Sequence, residues 1–167
     1  DSTITPTVTT FAGNGQPSWS NGNVTEASFY YPRNVAVDGI GNVYVADRSN
    51  NEIRKISPEG SVTTLAGKKG HAGLKDGLPD EATFDLPHGV AVDKDGYVYV
   101  ADWWNHAIRK ITPEGVVTTL AGSRVSGHED GIGNSAKFFH PTDIAVDLNG
   151  NIYVAEGNGG SNYFIRK

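Results

Sequence analysis

Three copies of one short motif organise the chain: Val43-Tyr44-Val45-Ala46-Asp47, Val98-Tyr99-Val100-Ala101-Asp102 and Ile152-Tyr153-Val154-Ala155-Glu156. The copies begin 55 and 54 residues apart, and similar spacings separate the related stretches 34–38, 89–93 and 143–147. A fixed period in this range indicates a repeat architecture. We therefore treat the chain as a single unit of three repeats, at about 14–67, 68–122 and 123–167.

Each of the first two repeats contains four short stretches that predict β-strands, and the third contains the first three of them. In the first repeat these are residues 34–37, 43–46, 52–56 and 62–65, with Gly, Pro, Asn and Asp in the turns between them. The first two stretches are almost wholly apolar, which suits strands covered on both faces of a sheet. A four-stranded sheet of this kind, repeated at a fixed period, is typical of a propeller blade. The sequence therefore predicts an all-β protein, a β-propeller with three four-stranded blades per chain.

Two stretches carry a resemblance to a known family. They are Tyr44-Val45-Ala46-Asp47 followed by Asn50-Asn51-Glu52-Ile53-Arg54-Lys55-Ile56, and Tyr99-Val100-Ala101-Asp102 followed by Asn105-His106-Ala107-Ile108-Arg109-Lys110-Ile111. In this pattern the chain resembles the NHL-repeat family over nearly its whole length, 8–167. The resemblance implies a propeller, usually six-bladed, that recognises proteins, sugars or RNA. The third copy departs from the pattern at Glu156 and by three extra residues within 157–163.

The predicted strands are too few to close a propeller ring within one chain. The chain starts with a lone strand at 8–11 and its third repeat lacks a fourth strand, so we expect the strand at 8–11 to complete the blade of 143–167. Three blades are fewer than the usual minimum of about four, and an arc exposes apolar flanks and an unpaired edge. One interpretation is a head-to-tail homodimer that closes a six-bladed ring and exchanges these strands between chains. The other is a fragment of a longer six-bladed chain. We favour the homodimer.

We place the binding site on the face that carries the long connections between repeats, because binding residues concentrate on variable loops. The candidates beside the central channel are Arg33 and Asn34, His88, and Thr142 and Asp143. Trp103 and Trp104 form an adjacent aromatic platform suited to sugar rings, peptides or partner proteins. Trp19 either joins this platform or fixes its own loop. The structural alternative is that these residues line a water-filled channel or pack against neighbouring loops.

Metal binding is the weaker hypothesis. The metal candidates are His88, Asp143 and Glu156, and no two of the five histidines share a close metal-ligand spacing. The carboxylates that end the second strands, Asp47, Asp102 and Glu156, could hold calcium or another divalent ion. They are better explained as hydrogen-bond acceptors for the turns that they open. We therefore expect no cofactor.

The charge and composition of the chain argue against two kinds of partner, nucleic acid and the membrane. The net charge of −5 and the lack of a basic stretch interleaved with aromatics argue against nucleic acid, and no stretch is apolar enough to span a membrane. We expect a non-catalytic binding scaffold for a protein or a carbohydrate, with an extracellular or periplasmic location slightly favoured. Two alternatives stay open. One is a metal-dependent propeller enzyme of lyase or lactonase type with its site at the channel. The other is a recently duplicated or engineered propeller fragment without an evolved ligand.

Overall fold

The computed structural model describes residues 5–157 and 163–167. Within these residues the strands are β1 (Gly22–Asn23), β2 (Pro32–Val37), β3 (Val43–Asp47), β4 (Glu52–Ile56), β5 (Ser61–Ala66), β6 (Pro87–Val92), β7 (Val98–Asp102), β8 (Ala107–Ile111), β9 (Val117–Gly122), β10 (Pro141–Val146), β11 (Ile152–Glu156) and β12 (Phe164–Arg166). Short 3-10 helices cover Arg48–Asn50, Trp103–Asn105 and Gly133–Ser135. The predicted all-β class is confirmed. None of the described helices has the length and apolar character needed to cross a membrane.

The strands form three antiparallel sheets, which we call blade 1 (β1–β5), blade 2 (β6–β9) and blade 3 (β10–β12). The predicted strand at 52–56 coincides with β4, and the other three predictions fall one or two residues short of β2, β3 and β5. The additional strand β1 belongs to the loop that precedes blade 1 and pairs along β5. In blade 2 the preceding loop makes an equivalent bridge, from Gly77 to Val117. Each of these loops therefore wraps around the outer edge of the blade that it precedes.

Apolar cores between neighbouring blades hold the blades together. The core between blades 1 and 2 includes Ile53 and Leu65 on one side, Val90 and Val98 on the other, and Phe84 between them. A second core joins blades 2 and 3 and contains Phe138 in the same role. These side chains are almost fully buried, and burying an aromatic or aliphatic side chain contributes about 1.5–3 kcal/mol. The equivalent residues Phe84 and Phe138 thus fill the space between blades at the two interfaces.

A buried arginine on the third strand fixes the preceding loop to each blade. In blade 2, Arg109 donates to the Asp102 carboxylate at 2.9 Å, to the Thr83 carbonyl at 2.8 Å and to Asp76 at 2.7 Å. Arg54 and Arg166 make the corresponding bonds in blades 1 and 3. In all three blades the arginine thus pairs with the acid that ends the neighbouring second strand.

The acid that ends the second strand has a different backbone donor from the one expected. Asp102 accepts from the Asn105 side chain of its turn at 2.7 Å, but its backbone donor is the N–H of Asp85 at 2.8 Å. Asp85 lies in the long loop rather than in the turn that Asp102 opens. The turn prediction was therefore wrong on this point, because blade packing brings the long loop over the strand end.

Both ends of the row of blades are open. Val35 on blade 1 is 61% exposed, whereas its equivalent Val90 on blade 2 is 3% exposed. Ile165 on blade 3 is 75% exposed, whereas Ile108 on blade 2 is 2% exposed. Residues 8–11 form no strand in the single chain, and their place in a blade stays a prediction. Most of the enlarged turn of the third repeat, residues 158–162, lies outside the described residues.

Candidate functional site

The innermost strand of each blade carries a β-bulge at the predicted site. The register of β2, β6 and β10 against the next strand shifts near the start of each strand. The residues that these shifts leave without a direct partner are Arg33 and Asn34 in β2, His88 in β6 and Thr142 in β10. A bulge redirects side chains away from the regular alternation of a strand. The bulges therefore set the directions of the side chains at the start of each innermost strand.

A stack of rings links blade 2 to blade 3 on the loop face. The Trp103 ring stacks nearly parallel to the His88 ring, 4.9 Å away between centres, and to the His140 ring, 4.2 Å away. Trp104 continues the stack, 5.2 Å from Trp103 and 5.4 Å from His140, and is 52% exposed. His106 lies 4.6 Å from His140. We call these five residues the aromatic ridge.

Arginines stand at the His88 end of the ridge. The Nε–H of Arg48 donates to His88 Nε2 at 3.0 Å, and the Arg48 guanidinium carbon lies 5.8 Å from the Trp103 ring centre. Burial, followed by the charges of Arg48 and Arg33, lowers the pKa of His88 to about 4. His88 is therefore neutral at pH 7, with Nε2 available as an acceptor. The positive charge at this end of the ridge belongs to the two arginines.

His106 and His140 link blade 2 to blade 3 through a hydrogen bond. Both have a positive φ, 52° and 50°, and the N–H of His140 donates to His106 Nδ1 at 3.1 Å. Blade 1 makes the same link with an amide, because Asn51 Oδ1 accepts from the N–H of Leu86 at 2.8 Å. His106 lies in the turn between β7 and β8, directly after the 3-10 helix Trp103–Asn105. Its side chain also ties its turn to the next blade.

The His106 link predicts a pH-dependent stability. Burial, followed by the charge of His140, lowers the pKa of His106 to about 4, below the value of about 6.5 in an unfolded chain. The unfolded chain then binds more protons between these values, so stability is lost as the pH falls from about 6.5 to 4. Because the ring is partly exposed, we expect this loss to be about 1 kcal/mol.

The substitution His106→Asn tests this expectation. Asn51, at the equivalent position in blade 1, accepts the same hydrogen bond and does not titrate. Urea denaturation of wild type and variant should agree at pH 7 and diverge at pH 4.5, with the variant the more stable. Parallel pH profiles would contradict the assignment. The exposed His71 supplies a matched control through His71→Asn, which should leave the profile unchanged.

The remaining channel candidates join the innermost strands. Asn34 donates to Asp143 Oδ1 at 3.2 Å and accepts from the N–H of Val90 at 3.3 Å. Thr142 donates to the carbonyl of Ala155 at 3.1 Å. Gly89 has a steric role, because a Cβ there would stand 2.7 Å from the Asp143 Cα. The hydrogen bonds of Asn34 therefore connect the innermost strands of all three blades. Thr142, in contrast, forms its hydrogen bond within blade 3.

The three metal candidates occupy separate environments. His88 is hydrogen-bonded to Arg48 and Asp143 to Asn34, and Glu156 accepts a hydrogen bond from Arg166 at 2.7 Å. In the stretches 5–157 and 163–167, no three His, Asp or Glu side chains are arranged to hold a metal ion. Each carboxylate proposed for calcium is bonded to the arginine of its own blade. The expectation that there is no cofactor stays a prediction.

Trp19 contacts its own blade rather than the ridge. Its indole N–H donates to Glu52 on β4, and Lys69 lies over its ring at 3.8 Å. Of its two predicted roles, the contacts favour fixing the loop. Sequence reasoning missed Arg48 and His140 as site residues. Two signals were available: Arg48 aligns with Trp103 in the turn, and His140 directly precedes the proline that opens β10.

The fold and repeat pattern can now be compared with known proteins. A family model described as NHL repeat matches residues 29–56 and 84–111, in the first and second repeats. The chain belongs to the NHL-repeat family. A crystal structure of a structural genomics protein of unknown function from Bacteroides thetaiotaomicron superimposes with a TM-score of 0.64 at 34% identity, covering 70% of this NHL-repeat chain and 30% of that chain.

Two curated proteins extend the comparison. The protein SUPPRESSOR OF QUENCHING 1, chloroplastic, of Arabidopsis thaliana is 31% identical over 159 residues, which cover 89% of this chain and 15% of that protein. A probable peptidyl-alpha-hydroxyglycine alpha-amidating lyase of Caenorhabditis elegans is 37% identical over 76 residues, which cover 44% of this chain and 20% of that protein. This NHL-repeat chain thus spans a small part of both proteins, and its relatives include an enzyme.

Proposed function

We propose that this chain is a non-catalytic binding module that recognises an acidic carbohydrate through the aromatic ridge and the arginines beside it. The observation that carries the proposal is the exposed ring of Trp104, held at the end of a packed stack. Ligand sites are built mainly from aromatic surface with a few well-placed polar groups. The ridge and its arginines have this composition.

The ridge is rigid before any ligand arrives. Trp103 stacks on two imidazoles, and the backbone N–H of Trp104 donates to the Asp85 carbonyl at 3.1 Å. Little freedom is then left to lose on binding, which favours affinity. The apolar face of a sugar ring can pack on the exposed face of Trp104, because the indole offers a large flat surface with a polar edge.

The arginines favour an acidic ligand. Arg33 is exposed, and the hydrogen bonds found among the described residues use only the Nε of Arg48 at this place. The terminal nitrogens of a guanidinium can bind a carboxylate in bidentate fashion. His88, which is neutral, accepts a hydrogen bond from Arg48 and so orients its guanidinium without adding charge. A carboxylate on the sugar would therefore bind at the His88 end while the ring packs on Trp104.

Titration with defined oligosaccharides tests this function. We expect an oligogalacturonate to bind and a neutral oligosaccharide of equal length to bind at least about tenfold more weakly, a difference of about 1.4 kcal/mol. Trp104→Ala should weaken binding of the oligogalacturonate at least about tenfold, and Arg48→Gln should remove the preference for the acidic sugar. Trp19→Phe is the control and should bind as wild type does.

Two outcomes would contradict the proposal. One is equal affinity for acidic and neutral sugars, and the other is unchanged binding in Trp104→Ala. If no sugar binds and the ridge variants instead abolish capture of a defined acidic peptide, the ligand is a protein segment and the carbohydrate assignment fails.

A metal-dependent enzyme is the second candidate, favoured by the lyase relative. Metal analysis of the purified protein separates the two candidates. Our proposal expects substoichiometric metal and sugar binding that EDTA leaves unchanged. A tightly bound ion at one per chain, lost together with His88→Ala, would favour the enzyme.

A further inference from the structure

A cavity of about 430 Å³ lies between blade 1 and the loop that leads into blade 2. Its lining comes from β4, from β5 and from the loops that precede blades 1 and 2, and includes Trp19, Asn21, Glu52, Thr64, Lys69 and Asp80. The cavity shares no residue with the aromatic ridge. Its volume falls in the range of small-ligand sites, about 300–1,000 Å³.

A buried carboxylate lines this cavity. Glu52 is 1% exposed, and its Oε2 accepts from the Trp19 indole N–H and from the Thr64 hydroxyl, the latter at 2.9 Å. No hydrogen bond from any residue that the structure describes reaches the other oxygen, Oε1. Because a carboxylate offers about four acceptor sites, Glu52 has capacity left for a donor that enters the cavity.

Blade 2 carries its corresponding acid in a different place. There Asp76, in the preceding loop, accepts from Arg109 at 2.7 Å and from the backbone N–H and the hydroxyl of Thr119, both at 2.9 Å. The first repeat has Asn21 at this loop position and Glu52 on β4, where blade 2 has alanine. Blade 1 thus carries its second acid in the cavity lining rather than in the loop.

This position leaves the charge of Glu52 incompletely compensated. Its ion pair with Arg54 is long, 3.9 Å from Nε to Oε2, which is beyond hydrogen-bond distance. Arg54 donates instead to Asp47, at 2.9 Å. Burial is the largest influence on the Glu52 carboxyl and raises its pKa, against the opposing effects of its two hydrogen bonds and of Arg54. A cation that enters the cavity would stabilise this carboxylate.

An ammonium group of the chain itself already contacts the aromatic side of the cavity. The Nζ of Lys69 lies 3.8 Å from the centre of the Trp19 ring, which is a cation–π contact. In the second repeat the equivalent lysine position holds Arg124, which bonds Asn105 instead, and leucine replaces the tryptophan. The first repeat therefore combines an aromatic face, a buried acid and an ammonium, and the second repeat does not.

We propose that this cavity binds a primary ammonium group on an aliphatic stem, which packs on Trp19 and pairs with Glu52, and that Lys69 holds this place in the free chain. An indole face beside a carboxylate is complementary to a cation that carries apolar methylene groups. The tethered Lys69 competes with the ligand, so the apparent affinity is lowered by the fraction of chains in which Lys69 covers the ring. The site is separate from the ridge, for which we propose an acidic ligand.

The indole N–H signal of Trp19 in a ¹⁵N–¹H correlation spectrum reports on this site. Titration with Nα-acetyl-lysine methylamide should shift the Trp19 signal and leave the signals of Trp103 and Trp104 in place. The norleucine analogue, which lacks the ammonium, should bind at least about tenfold more weakly. Cadaverine is the second probe. Tighter binding of cadaverine than of the lysine amide supports a free amine as the ligand, and the reverse order supports a lysine side chain of a protein.

Substitutions separate the roles of the acid and the lysine. Glu52→Gln keeps the shape of the side chain and should weaken binding of the lysine amide at least about tenfold. Lys69→Gln removes the competing ammonium and should strengthen binding about threefold. Lys68→Gln is its matched control, because it removes the same charge from the neighbouring exposed residue, and it should change the affinity by less. Glu52→Ala is the second acid variant, since blade 2 folds with alanine at this position.

Three results would overturn the proposal. One is a Trp19 signal that stays in place at the highest soluble concentration of the lysine amide, and another is an equal response to the norleucine analogue. The third is wild-type affinity in both folded Glu52 variants. Unchanged affinity in Lys69→Gln would overturn the role given to Lys69. None of these results affects sugar binding by the aromatic ridge, so the two proposals fail separately.

Discussion

Replacing Arg109 with methionine is expected to lower the free energy of unfolding by about 3–5 kcal/mol, because it leaves a buried carboxylate without its partner. Arg109 is fully buried and binds Asp102, the Thr83 carbonyl and the loop at Asp76. Methionine fills much of the volume but supplies no donor. Urea denaturation followed by circular dichroism measures the loss. The deficit should shrink at acid pH, because protonation of Asp102 removes the unpaired charge.

The same chain contains controls for this experiment. Lys94→Met removes an exposed cation paired with Asp95, and exposed pairs contribute about 0–1 kcal/mol. Arg166→Met removes the equivalent arginine from blade 3, where the guanidinium is less buried and Asp130 is exposed, so its effect should be smaller than that of Arg109→Met. A loss below 1 kcal/mol for Arg109→Met would mean that the arginine does not hold the loop to the blade.

Truncating Phe84 to alanine is expected to lower stability by about 3–5 kcal/mol, the range for removing a buried phenylalanine. Phe84 is fully buried in the core between blades 1 and 2. Phe29 holds the same position in the first repeat but lies on the open flank of blade 1 and is only partly buried. Phe29→Ala should therefore have a markedly smaller effect than Phe84→Ala. Chemical denaturation of both variants gives the comparison, and equal losses would contradict the packing described.

The strands were predictable from the sequence because the signals are local. Gly, Asn and Asp mark the turns, and β-branched residues and tyrosine fill the strands between them, so β4 was placed to the residue. The bulges at His88 and Thr142 were not predictable, because they arise from how each innermost strand aligns with its neighbour. The glycine at position 89 is likewise explained only by the structure, because the Asp143 backbone approaches it closely.

The binding site was only partly predictable, for a physical reason. Trp103, Trp104 and His88 were identified as candidates, since an exposed aromatic pair and a varied channel position are visible in the sequence. The stacking of Trp103 on His140, which is 37 residues away in the chain, depends on blade 3 packing against blade 2. Arg48 reaches His88 across the first interface in the same way. A site built between repeats cannot be read from any one repeat.

The indole N–H signals of the three tryptophans test the proposed site most directly. In a ¹⁵N–¹H correlation spectrum, adding an oligogalacturonate should shift the signals of Trp103 and Trp104. The signal of Trp19, bonded to Glu52 in blade 1, should stay in place as an internal control. Three unmoved signals at saturating sugar, or a shift confined to Trp19, would contradict recognition of the sugar by the aromatic ridge.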